Sequence, residues 1–76
     1  MYHIVEFRVS GLAELDTPGD QRSLQVFIKK GTRVRAEVKP YVVESDHGPV
    51  EVADLWAEDG TSARAVRFAA IRFIDE

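Results

Sequence analysis

Cysteine is absent from the 76-residue chain. Disulfides, thiol nucleophiles, iron–sulfur clusters and cysteine-based zinc sites are therefore excluded. The absence is compatible with a reducing compartment, and we predict a cytoplasmic protein. A secretory signal is not expected, because residues 1–10 lack a basic start followed by an apolar stretch.

Long apolar runs are also missing, so the sequence predicts no membrane-spanning helix. Apolar residues make up 45% of the chain and charged residues 30%, which is typical of a globular domain. No linker, repeat or low-complexity tract divides the sequence, and we predict a single domain over residues 1–76. A domain this short buries only about 60% of its unfolded surface. We therefore expect a thin core, with marginal stability or self-association.

Residues that carry chemistry are few and scattered. The two histidines, His3 and His47, have no metal-ligand spacing, and we predict no metal site. No serine lies in a nucleophile elbow, and the single glycines form no phosphate-binding loop. The carboxylate pairs fall at a turn and a terminus, where carboxylates keep ordinary acidity. The sequence predicts a non-enzymatic protein without a cofactor.

Charge is distributed unevenly although the net charge is only −3. Residues 1–39 contain seven basic and five acidic residues, whereas residues 40–76 contain three basic and eight acidic ones. The two halves therefore carry net charges of +2 and −5. Such an asymmetry permits head-to-tail association, although strands of opposite charge that lie side by side explain it equally well.

Period-two alternation of apolar and polar residues dominates the first half of the chain. In residues 2–9, His3, Val5 and Phe7 share one side, which predicts a half-buried strand. Residues 10–23 are polar and predict a long mobile connection, in which Leu12 and Leu15 form a short helical turn against the core.

Residues 24–39 predict a hairpin of two strands. A helix is the alternative for residues 17–30, with Thr17 as its N-cap and Gly31 just beyond its end. The hairpin is favoured because a three-residue loop, Lys30 to Thr32, matches all core-facing pairs. These pairs are Ile28 with Val34, Val26 with Ala36 and Leu24 with Val38.

The second half predicts further strands. Residues 40–43 continue an extended run beyond Pro40, a turn follows at residues 45–49, and residues 50–58 form the next strand. Asp59-Gly60 is a strong hairpin signal, and a bulge near residues 52–54 reconciles the faces of the two strands. For residues 61–76 we favour two strands that meet at residues 69–70, with a helix as the alternative.

These elements predict an all-β fold, a small antiparallel barrel or roll of five or six strands with SH3-like or OB-like closure. The alternative is an α+β fold, in which an antiparallel sheet carries a C-terminal helix. Barrel closure limits the exposed strand edges of so short a chain. The names of these barrels describe geometry alone, since a fold does not imply a function.

One surface is the most specific functional signal. The outer face of the predicted hairpin gathers cations around one aromatic ring, a composition that single-stranded nucleic acid can bind. The candidate binding face consists of Phe27, Lys29, Lys30, Arg33, Arg35 and Lys39. Alternatively, Phe27 completes a second core layer and the cations flank it.

Trp56 is a candidate aromatic anchor for a partner, although packing alone also explains a tryptophan near the Asp59-Gly60 turn. A cation–π pair with Arg64 is expected if the two residues face each other across that hairpin. We predict a protein-interaction module that binds another protein or itself through an edge strand. A weak nucleic-acid-binding barrel that uses the basic hairpin face is the alternative.

Overall fold

Alternating apolar and polar residues fold into strands in the computed structural model, which describes residues 1–19 and 22–74. These residues contain seven strands and one short 3₁₀ turn. The elements are β1 (His3–Phe7), β2 (Gly11–Asp16), β3 (Leu24–Ile28), β4 (Arg33–Ser45), β5 (Gly48–Trp56), β6 (Ser62–Arg67), the 3₁₀ turn (Phe68–Ala70) and β7 (Ile71–Phe73). The prediction of an all-β fold is confirmed, with seven strands rather than five or six.

All neighbouring strands are antiparallel, in the order β3-β2-β6-β5-β4-β1-β7. Together they form a half-barrel, which agrees with the predicted small barrel or roll. The 13-residue strand β4 joins two parts of this sheet, because residues 33–36 pair with β1 and residues 37–45 pair with β5. One long strand thus allows a single sheet to curve around its core.

The core lies on the concave side of the sheet. Val5 and Phe7 of β1 are almost fully buried, as the alternation in residues 2–9 predicted. His3, on the same side, is half-buried, and its ring centroid lies 5.0 Å from that of Phe73. The other buried members of the core cluster are mostly small, which agrees with the thin core expected for this length: Ala36, Ala53, Leu55, Ala63, Val66 and Ile71.

A bulge interrupts the pairing of β5 with β6. Ala53 pairs with Val66 and Leu55 pairs with Ala63, so Asp54 alone faces two residues, Arg64 and Ala65. The bulge predicted near residues 52–54 is therefore confirmed, and its extra residue lies in β6.

Asp54 fixes this bulge through its side chain. Its Oδ1 accepts a hydrogen bond from the backbone N–H of Ala65 at 2.9 Å and another from the Tyr41 hydroxyl at 2.9 Å. Ala65 has a φ of 53°, in the left-handed region that favours glycine. The bond from Tyr41 to Asp54 also raises the pKa of the tyrosine hydroxyl.

The predicted hairpin of residues 24–39 is wrong, although both of its strands form. β3 pairs with β2, and β4 pairs with β1 and β5. Four antiparallel pairings separate β3 from β4 in the sheet, and a usual twist of about 20–25° per pairing turns them by about 90°. Residues 29–32 are therefore a corner between two strands that cross, not the loop of a hairpin.

The prediction of a long connection with a helical turn in residues 10–23 is also wrong, because β2 lies there. Leu15 packs against the core, whereas Leu12 is 70% exposed. Gly11 and Ala13 occupy the same face as Leu15, and their small side chains hide the period-two pattern.

The remaining predicted elements agree with the structure apart from their limits. β5 covers residues 48–56 instead of 50–58, and the turn that precedes it is correspondingly tighter. At the Asp59-Gly60 turn, Gly60 has a φ of 89° and its N–H donates to the Ala57 carbonyl at 3.0 Å. Strands rather than a helix follow this turn, and they meet at residues 68–70. The predicted span ends with residues 75–76, which lie outside the described residues.

Replacing Ala65→Gly should stabilise the protein by about 0.5–1 kcal/mol. Glycine relieves the left-handed strain of an L-residue, at the cost of a more flexible unfolded chain. Urea unfolding monitored by Trp56 fluorescence measures the difference. The matched control is Ala63→Gly, at a buried position of the same strand, where the loss of a methyl group should cost about 1–2 kcal/mol. A destabilised Ala65→Gly protein would contradict this account of the bulge.

Candidate interaction surface

The outer edge of β3 has no partner strand in the described part of the chain. This strand, Leu24–Ile28, contains no charged residue and no proline, the two features that usually protect an edge from pairing. Its apolar side chains are open to solvent, with Leu24 54%, Val26 37% and Phe27 58% exposed. β3 is therefore able to accept a further strand.

β7 forms the other end of the sheet and differs from β3. It is only three residues long, and its central residue, Arg72, forms an ion pair with Glu6 of β1 at 2.8 Å. A short strand that carries a charge is a poor template for strand addition. The two edges are therefore not equivalent, and β3 is the edge suited to binding.

An apolar cleft of about 510 Å³ lies between β3 and the first part of β4. It exists because β3 and β4 diverge at the corner instead of pairing. Its floor includes apolar side chains from five strands, namely Leu15, Val26, Val34, Leu55 and Ala63. A side chain that projects from a strand added to β3 is able to enter this cleft and leave water.

Three residues of the predicted binding face border this cleft: Phe27, Lys29 and Arg35. The predicted hairpin sets Phe27 opposite Arg35 and Lys29 opposite Arg33 on its outer face, and both of these pairs are wrong because β3 does not pair with β4. The structure brings Phe27 and Arg35 to one cleft from strands that do not pair. Lys30 follows Lys29 in the corner and is exposed.

The other residues of the predicted face lie elsewhere. Arg33 projects to the convex side of β1, where its Nε is 3.1 Å from Glu6 Oε2. Lys39 lies on the part of β4 that pairs with β5, and its Nζ is 3.5 Å from Glu37 Oε1. Neither residue lines the cleft.

Trp56 is 38% exposed and stands beside Lys39, whose Nζ is 5.2 Å from the tryptophan ring centroid. The predicted cation–π partner, Arg64, instead binds Asp16. The reason is the pairing of the strands, which sets Trp56 opposite Ser62 and sets Arg64 opposite Glu14. Trp56 does not line the cleft either, so its role as an anchor stays a prediction.

A polar network attaches the β2–β3 hairpin to the rest of the sheet. The Ser23 hydroxyl donates a hydrogen bond to Asp16, and Arg64 of β6 binds both residues, with its guanidinium 2.9 Å from the Ser23 hydroxyl. Hydrogen bonds from Ser23 and Arg64 lower the pKa of Asp16. β2 pairs with β6 at only three positions, which makes this network the main polar link of the hairpin.

The sequence did not predict the residues that form the cleft floor as a group. The sequence predicts Leu15 on a helical turn and Val34 on a core-facing side, and it gives Leu55 and Ala63 no role in a site. Alternation alone identifies their buried faces but not the gap between β3 and β4. The signal available was the apolar character of β3 on both of its faces, which is unusual for an edge strand.

The described residues contain no group of three or more histidine or acidic side chains that could hold a metal ion. In that same part of the chain, no helix is long and apolar enough to cross a membrane.

The Glu6 carboxylate accepts hydrogen bonds from Arg33 of β4 and from Arg72 of β7, the two strands that flank β1. The hydrogen bond from Arg33, followed by the charge of Arg72, lowers the pKa of the Glu6 carboxyl. A lowered folded-state pKa stabilises the protein above the unfolded-state pKa of about 4.3, and this stabilisation is lost as the pH falls through the folded-state value.

We therefore expect Glu6→Gln to be less stable than wild type at pH 7, with the difference disappearing between about pH 5 and pH 3. Urea unfolding midpoints across this range measure the effect. Glu44→Gln is the control, because Glu44 has no ion pair in the described residues. A difference that persists unchanged at pH 3 would show that packing, not the charge, is responsible.

The candidate surface thus combines an unpaired apolar edge, a cleft beside it and two lysines at one end of that cleft. No protein family, no curated protein and no solved structure matches this chain.

Proposed function

We propose that this protein is a non-enzymatic protein-interaction module that binds an extended segment of a partner by strand addition to β3. The observation that carries the proposal is the unpaired, apolar β3 edge beside an apolar cleft of about 510 Å³. In strand addition, backbone hydrogen bonds supply affinity, and pockets for alternate side chains supply specificity. The absence of cysteine fits a cytoplasmic location for this interaction.

Three features support binding rather than self-closure of the barrel. β3 and β4 do not pair at the corner, so the outer edge of β3 stays open in the described part of the chain. Leu24, Val26 and Phe27 remain exposed, which costs free energy unless a partner covers them. The cleft floor is apolar, so side chains of an added strand gain by leaving water.

The alternative, weak nucleic-acid binding, has less support from the geometry. Phe27 is an exposed aromatic residue at the cleft, the other lining aromatic, Phe7, is buried, and the ring that Arg35 covers at 5.7 Å belongs to Tyr2, which does not line the cleft. Nucleic-acid platforms usually stack several bases. Three cations of the predicted face already have acidic partners: Arg33 with Glu6, Arg35 with Glu58 and Lys39 with Glu37.

The test is selection of peptides of about a dozen residues from a random display library on the wild-type protein, followed by affinity measurement with labelled peptides. Replacing Val26→Lys should weaken binding by at least about tenfold, because a charged residue on an edge strand opposes pairing. The matched control is Val42→Lys, which makes the same change on the paired strand β4, where Val42 is 60% exposed. This control should bind like wild type.

Failure to select any peptide, or equal binding by Val26→Lys and wild type, would refute the proposal. Fluorescence anisotropy with a single-stranded oligonucleotide addresses the alternative. Binding that falls steeply with salt and disappears in Lys29→Glu/Arg33→Glu/Arg35→Glu would favour the nucleic-acid function instead.

A further inference from the structure

Two lysines lie at the end of β3, where the cleft beside this strand meets the corner. Lys29 and Lys30 lie at the corner, and neither forms an ion pair within the described residues. On the β4 side, Arg35 lies 3.4 Å from Glu58, so its charge is locally balanced. An added strand therefore meets the unbalanced positive charge of these two lysines where β3 ends.

The corner holds the backbone of these two lysines in a fixed position. The Lys30 N–H donates to the Ser10 hydroxyl at 2.8 Å, and the Lys29 carbonyl accepts from Thr32 at 3.1 Å. The adjacent Gly31 N–H donates to the Phe7 carbonyl at 2.7 Å. A site whose backbone is already ordered loses less entropy when a ligand binds.

The sheet also indicates the direction of an added strand. Every strand pair in the described residues is antiparallel, and antiparallel pairing is slightly the more stable kind. A segment antiparallel to β3 has its N-terminal end beside the C-terminal end of β3. That is the end where Lys29 and Lys30 lie.

We infer that the segment bound by β3 is an extended peptide that is acidic in its N-terminal part and carries alternate apolar residues after it. This inference rests on the proposed function. The peptide runs antiparallel to β3, its acidic side chains lie at its N-terminal end beside Lys29 and Lys30, and alternate apolar side chains then enter the cleft. Leu24, Val26 and Ile28 share the concave face of β3, so apolar residues at every second position of the peptide lie next to them.

Peptides selected on the wild-type protein provide the first test. We expect an excess of Asp and Glu in the N-terminal part of the bound segment and alternating apolar residues after it. Selected peptides that depend on Val26 but show no acidic excess at either end would overturn this inference and leave the proposed function intact. If no peptide depends on Val26, both fail.

The second test uses one selected peptide and its variants in fluorescence anisotropy at low salt. Lys29→Glu/Lys30→Glu should weaken binding about tenfold, with the effect shrinking as salt screens the charges. The control Lys39→Glu/Arg67→Glu makes the same change in net charge on β4 and β6 residues that pair with β5 and do not line the cleft, and it should bind like wild type. Moving the acidic residues to the C-terminal end of the peptide should weaken binding to the same degree.

Two outcomes would overturn the inference of an acidic peptide. Equal binding by Lys29→Glu/Lys30→Glu and the control pair would show that the lysines do not recognise the segment. Dimerisation in sedimentation experiments that Val26→Lys abolishes would identify a second copy of this chain as the occupant. All variants keep the core residues, and unchanged unfolding midpoints confirm that a loss of binding is not a loss of fold.

Discussion

The Asp54 carboxylate holds the bulge in β6, and the β2–β3 hairpin separates from β6 at this bulge. The carboxylate accepts the backbone N–H of Ala65 and so holds an extra residue in the strand. Before the bulge, residues 62–64 pair with β2, whereas after it residues 66–67 pair only with β5. The β2–β3 hairpin therefore follows β6 for three residues and then leaves it. A second cleft of about 470 Å³ opens at that divergence, lined in part by Leu12, Ala13 and Val66.

Because the β2–β3 hairpin pairs with β6 over only three residues, β3 is a terminal strand with few neighbours. Leu15 and Ile28 contact the core, and the Asp16–Ser23–Arg64 network fixes one end of the hairpin. The rest of β3 relies on its pairing with β2. A protein of this size has too little apolar surface to cover every edge. The same shortage that thins the core also exposes the strand to which we assign binding.

The sequence predicted the positions of the strands better than it predicted which strands pair. Alternation located β1, β3 and β4, turn chemistry located the Asp59-Gly60 turn, and the mismatch of faces across that turn located the bulge between β5 and β6. Pairing depends on the global order of strands, and residues 24–28 and 33–38 matched each other so well that a hairpin was the simplest interpretation. That match arises because both strands face one core from different directions. Of the candidate site, sequence identified Phe27, Lys29 and Arg35, but the cleft between them depends on the crossing of the strands.

The placement of β1 has a consequence for the way the chain folds. β1 pairs with β4 and with β7, and the Phe7 backbone bonds to Gly31 and Thr32 while Arg8 N–H bonds to the Ala70 carbonyl at 2.7 Å. The contacts with β7 and with Ala70 join residues more than 60 positions apart in sequence, since Phe7 pairs with Ile71. Contacts so distant in sequence close large loops, and folding becomes slow when many of them must form together. During synthesis β1 leaves the ribosome long before β7 exists, so its apolar face stays without one of its two neighbouring strands until β7 has been made.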